Sequence, residues 1–272
     1  MEQQVLELTL VFYRTHTEIQ ASHGIEHVRA VHQHACHATD SHDPPLSAVT
    51  IMEIHVASLL HDVDDPKYFY QQQKQQHGGN NYDNARQILQ AARMPLDSLD
   101  RIVDMIRWVG CSQNGNRVPD IVQASDQYHL LIPRWADRLE AVGATGVVRC
   151  YQYNTEHGKP LSSATSPRAT TVAEVWQLAT AERFAAYSGA GSTTTTTGGG
   201  GGGTSDDMIS HYYDKLLHVA CPPPGAVRNA YLQRAATASA QPLLHMCLRF
   251  GVTGKVDVEY VKEIANSLSI EL

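Results

Sequence analysis

The sequence predicts an all-α fold, and two observations support that prediction. Apolar residues recur at the i, i+3, i+4 and i+7 positions of a helical face, most clearly at Leu99, Ile102, Val103 and Ile106. Prolines and good capping residues stand between the periodic segments, as expected for helices joined by short polar breaks. No stretch alternates apolar and polar residues for long enough to predict a substantial β-sheet.

Three helices are predicted in the N-terminal part of the chain. The first, at about 2–20, has its apolar residues at helical spacing. The second, at about 22–39, begins at Ser22, a residue type that caps helix N-termini well. After an interruption at Pro44-Pro45, the third, at about 46–61, is apolar on nearly all sides. A helix of that composition is predicted to run through the core.

Two further helices are predicted in the middle of the chain, one before and one after the amphipathic segment Leu99–Ile106. The first, at about 81–94, is stopped by Pro95. The second, at about 133–153, has a proline in its first turn, where proline is tolerated. Gly143 and Gly146 lie inside this second helix and predict close contact with a neighbouring helix, at some cost in helix propensity.

The C-terminal part of the chain contains helical patterns and one segment of low complexity. The predicted helices lie at about 171–187, 206–218, 226–250 and 256–268. A run of serine, threonine and glycine at 192–203 separates the first two of them. Such a run buries almost no apolar surface and cannot offset its ordering entropy, so it predicts a flexible loop.

Composition narrows the class of protein. A hydrophobic fraction of 42% and a charged fraction of 18% are those of an ordinary globular protein. A net charge of −7 argues against a dedicated nucleic-acid binder, and no apolar run approaches the ~18 residues of a membrane span. The five cysteines form no C-x-x-C pair, which favours reduced thiols in the cytoplasm over a disulfide framework or a cysteine-based zinc site. The N-terminus lacks the pattern of a secretory signal.

Four scattered residues form the most informative pattern: His27, the pair His61-Asp62, and Asp137. Two imidazoles and two carboxylates make a mixed nitrogen and oxygen ligand set that suits a borderline divalent metal ion. Four protein ligands also leave positions on an octahedral ion for water and phosphate oxygens. The sequence therefore predicts a metal site built from three separate segments.

Three blocks around these residues resemble the HD superfamily of metal-dependent phosphohydrolases. The blocks are Ser22–Val31, Leu59–Lys67 and Ala136–Arg149. The third is the most specific and is similar to that of small bacterial-type HD hydrolases that act on nucleoside triphosphates. The resemblance covers about residues 5–220. It implies a single HD-type helical domain over 1–272, in which 192–203 is an expanded loop and about 222–272 adds C-terminal helices.

The resemblance implies one divalent metal ion, bound by His27, His61, Asp62 and Asp137. Mn²⁺ is the expected ion, while Mg²⁺, Co²⁺, Ni²⁺, Zn²⁺ and Fe²⁺ stay open. A bound ion would lower the pKa of a water molecule and neutralise phosphate charge. It would also supply the positive charge that a nucleotide needs in an acidic protein.

The resemblance also implies catalytic and substrate-binding residues. In related hydrolases an acid two or three places after the HD pair holds or deprotonates the attacking water, which implies that role for Asp65 or Asp64. Lys67, Arg138 and Arg29 are candidates for phosphate contacts, because cationic donors stabilise charge on phosphoryl oxygens.

The implied reaction is hydrolysis of a (deoxy)nucleoside triphosphate to the monophosphate and pyrophosphate. The enzymatic alternatives are a nucleoside-monophosphate phosphatase and a hydrolase of the guanosine-tetraphosphate (ppGpp) type. The alternative of another class is a non-catalytic, nucleotide-sensing HD module. Trp135 stands where the family often has a second acid, and this departure leaves the substrate preference open. The expected partner is a small nucleotide rather than a nucleic acid or a membrane, and a homodimer is compatible with the sequence.

Overall fold

The computed structural model describes residues 1–19, 24–65, 68–69, 81–188, 205–270 and 272. Within these ranges the regular structure is helical, and no strand is present. The prediction of an all-α fold is therefore confirmed. None of the helices in these ranges combines the length and hydrophobicity that crossing a lipid bilayer requires. The Ser/Thr/Gly run predicted as a loop at 192–203 lies outside the described residues.

The helices of the described residues are numbered in chain order. A 3₁₀ turn (Tyr128–Leu131) precedes α8, and a π-helical turn (Tyr212–Leu216) joins α12 to α13. The helices are α1 (Glu2–Thr15), α2 (Ile25–Asp40), α3 (Ala48–Leu60), α4 (Asp83–Ala91), α5 (Leu96–Val109), α6 (Cys111–Asn114), α7 (Asp120–Ser125), α8 (Ile132–Ala141), α9 (Gly143–Glu156), α10 (Val172–Leu178), α11 (Ala181–Tyr187), α12 (Met208–His211), α13 (Leu217–Ala220), α14 (Ala230–Thr253) and α15 (Val258–Ser267).

The chain forms two compact units, and each unit combines separate stretches of sequence. The first consists of Met1–Gly110, Val118–Asp137 and Val227–Leu232. The second consists of Cys111–Arg117, Arg138–Ala226 and Gln233–Leu272. The interpretation of 1–272 as a single HD-type domain stays a prediction.

Helix α3 is the central element of the first unit. It packs against α1, α2 and α5, and every residue from Glu53 to Leu60 is buried. Ser47 caps its start by accepting a hydrogen bond from the Thr50 backbone N–H. The buried Glu53 carboxylate is compensated by Arg101, whose Nη2 donates to Oε1 at 2.5 Å. The all-round apolar pattern of this segment thus produces the core helix that it predicts.

The second unit has its own hydrophobic core. Helix α9 packs against α12 and α15, and the π-helical turn contacts α11, α12 and α13. The buried side chains that form this core come from several helices and include Val147, Tyr212, Tyr213, Leu217, Leu243, Met246, Cys247, Phe250 and Val261. Burial of large apolar side chains of this kind stabilises a fold by ~1.5–3 kcal/mol each.

The continuous helix predicted at 133–153 is wrong, because the chain breaks between α8 and α9. Val142 is extended (φ −125°, ψ −168°), and Gly143 begins α9 with φ +74°, a left-handed conformation that favours glycine. A Cβ atom on Gly146 would lie 2.7 Å from the Ala141 carbonyl oxygen. Both glycines are therefore needed for the sharp turn at this break. Gly146 lies against the backbone of Ala141, and Gly143 lies near Ser239 on α14.

Other differences from the predicted helices are smaller and have local causes. The segment 171–187 forms two helices, because the Thr180 hydroxyl accepts the Arg183 backbone N–H and starts a second one. The helix predicted at 226–250 begins at Ala230, where the Asn229 side chain accepts the Leu232 backbone N–H.

We predict that Gly251→Ala destabilises the second unit strongly. A Cβ atom at this position would lie 1.7 Å from the Ala169 carbonyl oxygen, so backbone must move to admit it. The cost should reach ~3 kcal/mol, the upper end for overpacking, although alanine is otherwise the better helix former. Thermal or denaturant unfolding measures the change. Val252→Ala, at an exposed neighbour, is the control and should be nearly neutral; wild-type stability of Gly251→Ala would contradict this packing.

Candidate metal centre

The four residues of the scattered pattern come together in the first unit. His27 lies in the first turn of α2, His61 and Asp62 lie in the turn that ends α3, and Asp137 lies on α8. The histidine side chains are buried, with 8% of His27 and none of His61 exposed to solvent, while the carboxylates are partly open. Water and a small ligand can therefore approach the cluster from the carboxylate side.

The two histidine nitrogens lie close to each other and to one oxygen of each carboxylate. The two Nε2 atoms of His27 and His61 are 3.1 Å apart. The Oδ1 atom of Asp137 lies 3.3 Å from Nε2 of His27 and 3.5 Å from Nε2 of His61. The Oδ2 atom of Asp62 lies 3.5 Å and 3.4 Å from the same two nitrogens. Each carboxylate therefore contacts the same pair of imidazole nitrogens.

The separations among His27, His61 and Asp137, whose donor atoms all lie within 4.8 Å of one another, fit a shared metal ion, and Asp62 approaches the same two nitrogens. Two ligand atoms that each lie about 2.1 Å from one ion are about 3.0 Å apart at a right angle and about 3.4 Å apart at the tetrahedral angle. The observed range of 3.1–3.5 Å spans those values. Buried Oδ2 of Asp62 accepts no hydrogen bond in the described part of the chain, although a buried carboxylate oxygen needs a partner. A cation between these atoms would provide one.

The backbone of α3 sets the tautomer of His61. Its Nδ1 lies 2.9 Å from the Ser58 carbonyl oxygen, and only a protonated Nδ1 can form that hydrogen bond. In the neutral ring, Nε2 then carries a free lone pair that points into the cluster. Metal-binding histidines usually have their second nitrogen fixed in this way.

The electrostatics of the cluster favour a cation. Burial alone would lower the pKa of His61, but the negative charge of Asp62 and a hydrogen bond with Asp137 hold it well above its ordinary value. Burial alone would raise the pKa of Asp137, yet hydrogen bonds from His27 and His61 hold it well below its ordinary range. A proton and a divalent ion compete for the same nitrogen lone pair, so acid should weaken metal binding.

The two acids that follow the HD pair have different environments. Asp64 is buried, and its Oδ1 and Oδ2 accept the backbone N–H groups of Asn84 at 3.0 Å and Ala85 at 2.9 Å. These are orphan donors in the first turn of α4, so Asp64 caps a helix that is distant in sequence. Burial raises the pKa of Asp64, and the two backbone donors oppose that rise. Asp65 is half-buried, and its backbone N–H donates to the Asp62 carbonyl.

The three predicted phosphate contacts are placed differently. Arg29 is exposed and pairs with an acid one turn earlier on α2. Arg138 is buried, and its guanidinium donates to the Asn116 side chain and the Gly115 carbonyl within the second unit. Lys67 lies outside the described residues. The phosphate contacts of all three stay predictions.

Tyr13, on α1, is a candidate functional residue that the sequence analysis missed. Its hydroxyl is buried and makes no hydrogen bond within the described part of the chain. Burial raises the pKa of Tyr13, and the charges of Asp62 and Asp65 raise it further. A hydroxyl that stays protonated near these acids can donate a hydrogen bond to an oxygen at the cluster. Tyr13 precedes the recognisable blocks, and an aromatic residue on an amphipathic helix usually indicates core packing.

Comparison of the sequence with known proteins identifies one family relationship. The sequence matches no family model. It is 31% identical over 256 residues to uncharacterized protein L803 of Acanthamoeba polyphaga mimivirus. The match covers 90% of this chain and 94% of the viral protein. The chain belongs to the L803 family.

Comparison of the structures relates the fold to that of HD proteins. An HD-superfamily hydrolase from Bacillus thuringiensis matches with a TM-score of 0.53 at 16% identity, over 100% of both chains. A Lactobacillus plantarum protein matches with a TM-score of 0.54 at 17% identity, over 99% of this chain and 98% of its own. The Lin1889 protein from Listeria innocua matches with a TM-score of 0.50 at 13% identity, over 100% and 98%. At these identities the likeness shows the fold alone, which this chain shares with one protein described as an HD-superfamily hydrolase.

We predict that Asp62→Ala abolishes Mn²⁺ binding at this centre. The variant removes a carboxylate that contacts both histidines. Loss of a group that only supports a ligand costs ~10–100-fold in metal affinity, so loss of a ligand should cost more. Electron paramagnetic resonance of free Mn²⁺ during titration measures the affinity. Asp104→Ala, at an exposed acid of the same unit, is the control; tight Mn²⁺ binding by Asp62→Ala would remove Asp62 from the ligand set.

Proposed function

We propose that this chain is a metal-dependent phosphohydrolase that acts on nucleotides and converts a (deoxy)nucleoside triphosphate to the monophosphate and pyrophosphate. The observation that carries the proposal is the convergence of His27, His61, Asp62 and Asp137 within 3.5 Å contacts, in a helical fold of the HD type. The nucleotide part of the proposal rests on the Ala136–Arg149 block, which resembles HD hydrolases that act on nucleoside triphosphates.

The four donor residues would hold one divalent ion, with Mn²⁺ the first candidate. When bound, such an ion lowers the pKa of a coordinated water molecule and neutralises phosphate charge. The protein side chains fix the geometry. His61 is oriented by the Ser58 carbonyl, and the partly exposed carboxylates of Asp62 and Asp137 leave an approach for the substrate.

Of the two acids after the HD pair, we assign the catalytic role to Asp65. Both oxygens of Asp64 already accept backbone N–H groups from α4, and this binding fixes the carboxylate away from a proton-transfer role. Asp65 lies one residue further along the same turn. Its carboxylate would orient the attacking water and accept a proton from it as the water oxygen bonds to the α-phosphorus and the bond from that phosphorus to the leaving pyrophosphate oxygen breaks. Asp64 would act indirectly, because its hydrogen bonds to α4 hold in place the turn that carries Asp62 and Asp65.

Cationic and hydroxyl groups would complete substrate binding. Lys67 and Arg29 are proposed to contact phosphate oxygens. The phosphate contact predicted for Arg138 rests on its place in the sequence alone, because its buried guanidinium donates to Asn116 and Gly115 within the second unit. The buried Tyr13 hydroxyl would donate a further hydrogen bond. Trp135 is only 5% exposed, so we assign it to the core rather than to stacking on a nucleotide base.

Two alternative enzymatic reactions would use the same four metal ligands. A nucleoside-monophosphate phosphatase would release phosphate, and a ppGpp-type hydrolase would remove pyrophosphate from a ribose hydroxyl. A non-catalytic nucleotide sensor would bind without releasing either. Asp65 in the turn beside the donor residues favours an enzyme, because a sensor has no need to activate water.

We predict that the purified protein with Mn²⁺ releases pyrophosphate, and not phosphate, from at least one nucleoside triphosphate or its deoxy form. Phosphate and pyrophosphate should be measured separately across a panel of triphosphates, monophosphates and guanosine tetraphosphate. The His61→Ala variant is the blank for contaminating activity. Phosphate release from monophosphates alone would select the phosphatase, and nucleotide binding without any product would select the sensor.

We predict that the two acids separate stability from turnover. Asp65→Asn should lower turnover by ~10²–10⁴-fold, with unchanged melting temperature and metal content, because it removes only the proton acceptor. Asp64→Ala should instead lose ~0.5–2 kcal/mol of unfolding free energy, because two α4 donors lose their cap. Calorimetry and single-turnover kinetics measure the two effects. Wild-type turnover in Asp65→Asn would assign the water to another residue.

A further inference from the structure

A second set of metal-binding side chains lies in the first unit, on different residues of α1, α2 and α3. His32 and Cys36 are four residues apart on α2, so they lie on the same face of that helix. His55 comes from α3, and its donor atom lies within 4.8 Å of those of the other two. Glu2, at the start of α1, contacts both histidines. None of these residues belongs to the candidate metal centre.

The contacts that Glu2 and Cys36 make with the two histidines have distances close to those around one tetrahedral ion. Glu2 Oε1 lies 3.0 Å from His32 Nε2 and 3.3 Å from His55 Nδ1. Cys36 Sγ lies 3.8 Å from His32 Nε2 and 4.0 Å from His55 Nδ1. For Zn²⁺, with bonds of about 2.05 Å to N or O and 2.3 Å to S, the tetrahedral separations are about 3.3 Å for N–O and about 3.6 Å for S–N. The observed values agree within a few tenths of an ångström.

The protons around His55 also point to a cation. Thr39 has a single hydroxyl proton, and its Oγ1 is placed to donate to the Cys36 carbonyl oxygen at 2.9 Å. His55 Nε2 also lies 2.9 Å from that Oγ1, so Nε2–H must then be the donor to it. When the ring carries only that proton, the lone pair of Nδ1 faces the Glu2 carboxylate. Either a proton on Nδ1 or a metal ion must then lie between these two acceptors.

Burial affects the protonation of two of these donors. Desolvation lowers the pKa of His32, which favours the neutral imidazole that a metal ion binds. Desolvation and the Glu2 charge raise the pKa of the Cys36 thiol to about 11, so a bound ion would have to displace the thiol proton. The Glu2 side chain is 36% exposed, which provides an entry path.

We propose that His32, Cys36, His55 and Glu2 form a second metal site, for Zn²⁺ or a similar borderline ion, which ties the start of α1 to α2 and α3. The set contains one sulfur, two nitrogens and one oxygen, and thiolate ligands select Zn²⁺ over Mn²⁺ or Mg²⁺. The His27, His61, Asp62 and Asp137 centre has nitrogen and oxygen donors only. The proposal is therefore independent of the proposed hydrolase activity, and the two sites can be told apart by spectroscopy.

Titration of the metal-free full chain with Co²⁺ tests the proposal. A sulfur-to-cobalt charge-transfer absorption should appear in the near ultraviolet and saturate at one ion per chain. It should be lost in Cys36→Ser and retained in Cys221→Ser, which replaces an exposed thiol. It should also be retained in His27→Ala, whose other centre is damaged, and Zn²⁺ should displace the Co²⁺ and abolish the absorption.

Several results would overturn the second site. Absence of the absorption in the wild-type protein would mean that the four side chains form a hydrogen-bonded network only. Its persistence in Cys36→Ser, or its loss in Cys221→Ser, would place the ion on another thiol. Should Cys36→Ser fail to fold by circular dichroism, Glu2→Gln decides the question, since it keeps the side-chain shape. That variant should bind Co²⁺ at least about tenfold more weakly, and unchanged affinity would exclude Glu2 as a ligand.

Discussion

The burial of α3 on every side is the constraint on which the first unit depends. Because no face of the residues from Glu53 to Leu60 meets solvent, neighbouring helices must surround them, and the helix position is fixed by packing. The turn at its end therefore presents His61 and Asp62 at a defined place. The buried carboxylate of Glu53 accepts hydrogen bonds from Ser98 and Arg101. A charged group inside the core needs such hydrogen-bond donors to offset the loss of its hydration. Metal-ligand geometry at this turn is a consequence of core packing.

Local sequence signals predicted the helices well where helix ends carry clear capping residues. Helix α3, capped by Ser47, begins at Ala48, two residues after the predicted start at about 46. The break at Val142 was not predicted, because glycine inside an apolar periodic segment also indicates close helix packing. The left-handed φ of Gly143 is set by the direction in which α9 leaves the break, and the periodicity of apolar residues does not encode that direction.

The candidate site was predictable only in part, for a related reason. Its four donors could be found from residue type and order, because each lies in a block with a recognisable pattern. The cap that Asp64 provides to α4 depends on a contact across twenty residues, and so it left no local signal. The set around Cys36 was equally hidden, since the cysteine spacing argued against any thiolate site and the partner histidines lie on another turn and another helix.

Helices α2 and α3 carry donors of both sets, and His27 and His32 are about 7.5 Å apart along the axis of α2. A shift between these helices would consequently disturb both sets together.

The hydrogen bonds from Asn84 and Ala85 to Asp64 have a consequence for how this family can vary in length. They hold the two ends of the 65–83 segment beside each other, whatever the number of residues between. Closing a longer chain between fixed ends costs only ~0.6 kcal/mol for each doubling of its length. Insertions and deletions next to the HD pair can thus accumulate among relatives while the turn itself stays in place. New sequence can arise between these two ends without a new framework to hold them.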